Sequence, residues 1–164
     1  MLGNLVTAIP AELAVVVLAM TPVGELRAAI PVGILGYHLP VWEVFLLAQL
    51  GNAVPVVLIY GLCDWWVRMM ERRQGFLHRI THAVLRHTHE KMHGGIGRWG
   101  MLALVIFVAI PLPGAGAWTG TLGAYLLHIP LKKAFPYIIL GNLIAGTIVT
   151  LAVTGGVAAF KVFL

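Results

Sequence analysis

T-P-V-G-E-L-R (residues 21–27) interrupts an apolar stretch, and the reading of the fold starts from that interruption. Pro22 removes a backbone donor and Gly24 loosens the chain, so an ordinary helix stops here. Ahead of the break, residues 2–21 are apolar apart from Asn4, Thr7, Glu12 and Thr21, with Pro10 near the middle. Beyond it a second apolar arm runs to Tyr37 and ends at His38-Leu39-Pro40. Counted from the break, that arm has about 10–12 residues, or ~15–18 Å of helix. The hydrocarbon core of a bilayer is ~30 Å thick and needs ~20 residues. The arm reaches halfway and turns back, as a re-entrant hairpin does.

The same pattern is written a second time. Residues 14–60 align with 104–150 at a constant offset of 90 and without a gap. The identities are Val15/Val105, Ala19/Ala109, Gly24/Gly114, Gly33/Gly123, His38/His128, Pro40/Pro130, Phe45/Phe135, Leu50/Leu140, Gly51/Gly141 and Asn52/Asn142. In the second copy residues 100–110 form one short arm, P-L-P-G-A-G (111–116) the break, and 117–127 the other arm, closed by His128-Ile129-Pro130. Each hairpin is followed by a segment long enough to cross a bilayer, 41–63 and 131–154. Apolar halves with matching Gly/Pro interruptions point to a transport site at mid-membrane.

Composition excludes a soluble domain. The chain is 60% hydrophobic and 10% charged over 164 residues, with mean hydropathy +0.93, whereas soluble domains are about one-quarter charged. The net charge of +5 is not a nucleic-acid signal. Seven of the eleven basic residues (Arg68, Arg72, Arg73, Arg79, Arg86, Lys91, Arg98) lie between the copies, and Lys132 and Lys133 open the last apolar segment. Such clustering marks cytoplasmic connections. It places the linker inside and dips the two hairpins from opposite faces. Tyr37 and Trp42 then fall at one interface, and Tyr60, Trp65, Trp66 and Trp99 at the other. The expected fold is an all-α integral membrane protein of two inverted repeats, each a re-entrant helical hairpin followed by one transmembrane helix. It forms a single membrane domain: repeat one 10–66, a basic amphipathic cytoplasmic linker 67–99, and repeat two 100–156. The N-terminus lacks a basic n-region and does not read as a removable signal peptide. Lone Cys63 excludes an internal disulfide. The chain is short for enclosing a pathway, so a homodimer in the cell's inner membrane is expected.

Glu25 and Arg27 are the only charges between Glu12 and Glu43, and they sit at the apex of hairpin one. An ionisable group at that depth costs at least ~2.5–3.5 kcal/mol, which calls for a reason. At i, i+2 they would not pair on a regular helix; an unwound break could bring them together, or each could face the second hairpin. One reading is a structural ion pair between the tips. The other is a site in which Glu25 exchanges a proton and Arg27 holds an anionic group, for which its planar fork is suited. Pro22 and Gly24 shape the first tip, and Pro111, Pro113 and Gly114 the second, exposing helix ends able to bind ions or substrate. Trp118 and Thr119 follow directly. Asn52 and Asn142, in the repeated L-G-N, either bond between helices or line the cavity. Gln49, Tyr60 and Asp64 are weaker candidates. Gly116, Gly120 and Ala124, spaced four apart, suit close helix packing.

His89-Glu90-Lys91-Met92-His93 is a literal H-E-x-x-H, the zinc-protease signature. It lies among five histidines in residues 78–93, is followed at once by Gly94-Gly95, and has only His128 downstream as a further ligand. A catalytic zinc wants a third protein ligand. The segment reads instead as a basic amphipathic helix drawn to anionic membrane lipid. No enzyme activity, metal or cofactor is expected.

G-E-L-R-A-A-I-P (24–31), P-L-P-G-A-G-A-W-T-G (111–120) and L-G-N (140–142) together resemble the small multidrug export family, and the resemblance spans essentially the whole chain. That family is distantly similar to DedA-type membrane proteins, which carry inverted re-entrant hairpins. Some of those return a polyprenyl-phosphate lipid carrier across the membrane, coupled to protons through acidic and arginine residues. By motif, the glutamate and arginine of the first hairpin fall on Glu25 and Arg27, and the P-x-P-G turn on Pro111, Pro113 and Gly114. The chain departs from the pattern at Ala115, where the family usually has threonine. It also has no arginine between Arg98 and Lys132. The resemblance implies a proton-coupled transporter or exporter of a small molecule, with a lipid-phosphate translocase or a non-transporting scaffold as alternatives.

Overall fold

The computed structural model describes residues 9–71, 98–111 and 115–163. Every regular element among them is helical: α1 (Ala11–Met20), α2 (Glu25–Pro31) continued by a π-helical turn (Val32–Gly36), α3 (Val41–Glu71), α4 (Arg98–Ala109), α5 (Ala117–Leu126) and α6 (Leu131–Phe163). Two short helices precede a long one, twice.

The interruptions are where the sequence places them. Helix α1 stops at Thr21, whose hydroxyl donates to Leu18 O (2.7 Å) and accepts the Gly24 amide (3.1 Å), closing the turn on itself. Gly24 is needed for space, since a Cβ there would lie 2.8 Å from Thr21 Oγ1. The arm beyond the break covers 25–36, the expected length, but its second half is π-helical. Pro31, which brings no N–H to the ladder, sits where the winding widens. The matching arm, α5, stays α-helical to Leu126. Both arms end at the H-x-P corner. His38 and His128 each adopt φ 55, and Pro40 and Pro130 accept the first amides of α3 and α6 through the same pattern of bonds.

Helix α3 outruns its expected end of 63, reaching Glu71, and residues 155–163 extend the last helix, α6, to Phe163. Residues 64–71 hold no glycine or proline to stop α3, and polar Asp64, Arg68 and Glu71 continue a helix past an interface without cost. The basic linker expected over 67–99 thus begins inside α3 and ends inside α4. Its middle, with the His89–His93 motif, lies outside the described residues, as do Pro113 and Gly114.

Two apolar cores hold the bundle, and each borrows from the other copy. One gathers Val15, Ala19, Leu26, Ala29, Ile30, Val44 and Ala48 from the first copy with Ala145 of α6. The other gathers Val108, Ala117, Ala124, Ile129, Ala134 and Ile138 from the second with Val56 and Tyr60 of α3. Gln49 Nε2 of α3 donates to Asn142 O (3.0 Å), Tyr60 OH donates to Ile129 O (2.9 Å), and a Cβ on Gly146 would lie 3.1 Å from Phe45. Contacts that climb α3 descend α6, so the long helices run antiparallel. In the most apolar 18-residue stretches of 41–67 and 131–156, only 44% and 28% of the residues are buried. Leu50, Leu62, Ile106 and Leu151 stand exposed. A soluble core helix would be mostly covered; surfaces this apolar are covered by lipid.

The repeated glycine of L-G-N lets each long helix touch its own first arm. A Cβ on Gly51 would lie 2.6 Å from Val16 O, and one on Gly141 would lie 2.7 Å from Val108 Cβ and 2.9 Å from Val105 O. Backbone cannot retreat as a side-chain tip can, so Gly51→Ala and Gly141→Ala are each expected to cost about 1–3 kcal/mol. Gly61 and Gly123 have nothing within 4 Å of the added carbon. Alanine there should be neutral or stabilising by up to ~1 kcal/mol. Thermal unfolding of the four variants in detergent checks the contrast.

Candidate functional site

The two interruptions meet, and the chemistry lies where they touch. Glu25 opens α2 in the left-handed region (φ 47), unusual for a residue with a long side chain, and is 6% exposed. Its Oε1 accepts the backbone N–H of Trp118 at 3.3 Å, in the first turn of α5. Gly116, which precedes α5, lies directly against the carboxylate, so that any Cβ there would overlap it. A helix amino end carries outward-facing N–H groups and partial positive charge, which suits a carboxylate. Thr119 completes this end by accepting the Gly116 amide on Oγ1 (3.0 Å).

Arg27, two residues on, reaches the same partner differently. Its Nη2 donates to Ile110 O (3.2 Å) and to Ala115 O, the carbonyls on either side of residues 111–114. One guanidinium therefore clamps both ends of the second interruption. Glu25 Oε2 and Arg27 Nη2 stand 4.0 Å apart, the outer limit of an ion pair. The left-handed start brings them together where a regular helix would not, and both face the other hairpin. Trp118 adds a third tie across the gap, its indole Nε1 donating to Met20 O at 3.2 Å.

Glu25, Arg27, Gly24, Trp118 and Thr119 are thus brought together. Pro22 and Pro111 are exposed on the turns. Asn52 and Asn142 belong to the bundle interior, 0% and 1% exposed, and among the described residues no hydrogen bond links them to the tips. Both polar atoms of the Asn52 amide and the Nδ2 of Asn142 lack a hydrogen-bond partner among the described residues. Tyr60 and Asp64 form a separate polar group with Tyr125: the tyrosine rings meet edge to face at 5.5 Å, and Tyr125 OH donates to Asp64 Oδ1 (3.1 Å). An open apolar groove of about 620 Å³ between Trp42, Phe45 and Leu46 of α3 and Thr147, Thr150 and Leu151 of α6 includes no tip residue. Among the described residues, no three His, Cys, Asp or Glu side chains cluster as a metal site would require.

Sequence reasoning missed the groups that receive the charges. Ile110 O, Ala115 O, Met20 O and the Trp118 amide are backbone and leave no mark in residue identity. Gly116 was legible as a glycine of the break and of the stripe it forms with Gly120 and Ala124, not as the place where a carboxylate sits.

Compared with known families, residues 25–148 match the model described as "putative small multi-drug export protein". The chain belongs to this family. The small multi-drug export match begins at Glu25 itself and takes in the charged pair of the first tip, the whole of the second, both L-G-N segments and the first half of α6. Its description names an export protein. No curated protein and no solved structure matches the chain.

Proposed function

We propose that this small multi-drug export protein is a proton-coupled membrane exporter whose substrate site lies between the tips of two re-entrant hairpins inserted from opposite faces. The observation that carries it is the engagement of the Glu25–Arg27 pair of one tip with the backbone of the other. Charge at a junction of two moving parts is where proton uptake can change how they fit. Inversion is supported by the antiparallel course of α3 and α6 and by the exchange of core residues between copies. Re-entry is supported by α1 and α5, ten residues each, about 15 Å of helix against ~30 Å of hydrocarbon. The basic residues between the copies orient this domain with its linker toward the cytoplasm of the inner membrane. A homodimer completes the pathway.

The test is proton flux in vesicles loaded with a pH-sensitive dye. An ethidium or sulfate gradient should drive proton movement in the wild type and none in Glu25→Gln. Equal flux in both removes Glu25 from coupling. The full engagement of both charges also favours a second reading, a scaffold in which the pair only fastens the tips. That reading expects no flux from either protein and a lower unfolding midpoint for Glu25→Gln.

A further inference from the structure

Away from the tips, the long helices bury polar side chains whose atoms are unpaired. Asn52 and Asn142 are 0% and 1% exposed. Among the described residues, Gln49 Oε1, Asn52 Nδ2 and Oδ1, Asn142 Nδ2 and Thr150 Oγ1 are buried without a hydrogen-bond partner. Buried polar groups are nearly always paired, and hydrocarbon offers them no partner.

Helix geometry puts these atoms in one row. On α3, Asn52 stands between Gln49 and Val56, three and four residues away and so on the same face. That face meets the second copy: Gln49 Nε2 donates to Asn142 O, and Val56 packs with Ile138. On α6, Asn142 stands between Ile138 and Ala145, each of which joins a core shared with the first copy. Because the helices run antiparallel, Asn52, one turn beyond Gln49, comes level with Asn142. In the other direction a Cβ on Gly146 would overlap the Gln49 amide nitrogen, and Thr150 follows one turn later. Thr150 also lines the apolar groove with Phe45. The row thus runs about 12 Å along α6, from the groove to the middle of the bundle.

We propose that this row is an internal water-binding site that hydrates the bundle from one face only. The donor set selects the ligand. Two amide nitrogens donate, two amide oxygens accept, and a hydroxyl does both. A cation would meet N–H groups, an anion would meet carbonyl oxygens, and the row has no charged side chain to balance either. Water bonds to every member and needs only two to four such partners. The one-sidedness comes from the repeat. At the offset of 90, Thr150 corresponds to Tyr60 and Gln49 to Ile139. Tyr60 fills its place with a ring whose hydroxyl donates to Ile129 O, and the Ile139 side chain has no polar atom. Polar groups therefore lead inward from the groove, near the start of α3, while the linker end of the same helix is closed. The site goes beyond the transport reading and does not rest on Glu25.

The experiment is water-edited magnetic-resonance spectroscopy of the full chain in lipid vesicles. The chain has three asparagines and two glutamines, so nitrogen-15 labelling of these residues alone leaves few side-chain amides, assigned by substitution. Magnetisation should pass from water to the amides of Gln49, Asn52 and Asn142. Thr150→Tyr installs the residue of the closed side and should abolish transfer to Asn52 and Asn142. Gly61→Ala, with open space around it, should leave transfer unchanged. No transfer in the wild type, the result for two asparagines bonded to each other in a dry interior, overturns the proposal. Transfer that survives Thr150→Tyr overturns the route from the groove. A shift of the Asn52 and Asn142 signals on titration with sodium chloride makes the occupant an ion and overturns the assignment to water. If Thr150→Tyr does not fold, Gln49→Ile, the other residue of the closed side, takes its place. Proton flux through a protein with a dry row would sink this inference and leave the transport reading standing; a hydrated row without flux would do the reverse.

Discussion

Arg27→Ala is expected to destabilise the folded chain by about 3 kcal/mol, the lower end of what removing one member of a buried pair costs, because the Arg27 side chain keeps 20% of its exposure. The loss has two parts. Ile110 O and Ala115 O forfeit a charged donor, and the Glu25 carboxylate stays buried without its countercharge. The second part can be isolated. In Arg27→Ala combined with Glu25→Gln no charge is left stranded, so the double variant should unfold at a higher temperature than Arg27→Ala alone. Simple additivity of the two single effects would show that the charges do not sense each other across 4.0 Å. Lysine at 27 keeps the charge without the planar fork and should fall between arginine and alanine. Unfolding in detergent, followed by near-ultraviolet dichroism, gives all four midpoints.

The second large effect is on transport. Gly116→Ala puts a methyl group where the Glu25 carboxylate sits. The carboxylate ends a flexible side chain and can withdraw, so the fold should survive. Withdrawal breaks the bond from the Trp118 amide, a charged hydrogen bond worth about 1.5–3 kcal/mol. Proton-linked flux should fall accordingly, by about tenfold for each 1.4 kcal/mol if that bond sets the closed geometry. Glu25→Asp in the same protein shortens the side chain by one methylene and should restore part of the flux. Gly123→Ala, on the same helix with open space around it, should leave flux unchanged. Loss of flux in Gly123→Ala as well would mean that an added methyl anywhere on α5 blocks flux, and the assignment to Glu25 would fail.

Most of the scaffold was readable because it depends on local rules that leave marks in residue type. Pro22 and Gly24 fall together in one short polar turn, which stops a helix where the single prolines at 31, 55 and 136 do not; H-x-P turns a corner twice in the same conformation, and a glycine in L-G-N marks a close approach twice. The element starts at Val41 and Leu131 differ by the offset of the repeat itself. The charged pair was readable because two ionisable residues in an apolar stretch have few explanations. What they bind was not. Carbonyl and amide groups are the same in every residue, so partners 83 to 93 positions away leave nothing to read. The left-handed start at Glu25 was hidden for a related reason: tertiary contacts hold a conformation that its own side chain disfavours. The interior placing of Asn52 and Asn142, away from the tips, follows from which face of each long helix turns inward, and that depends on the partner helix rather than on the motif.

The π-helical turn at Val32–Gly36 has no counterpart in α5. A seesaw with identical ends rests equally on either one. Here a single end carries both the wider winding and the charged pair, so the proposed exchange between the two copies would start from unequal sides, and the inequality is written into Pro31 and its neighbours.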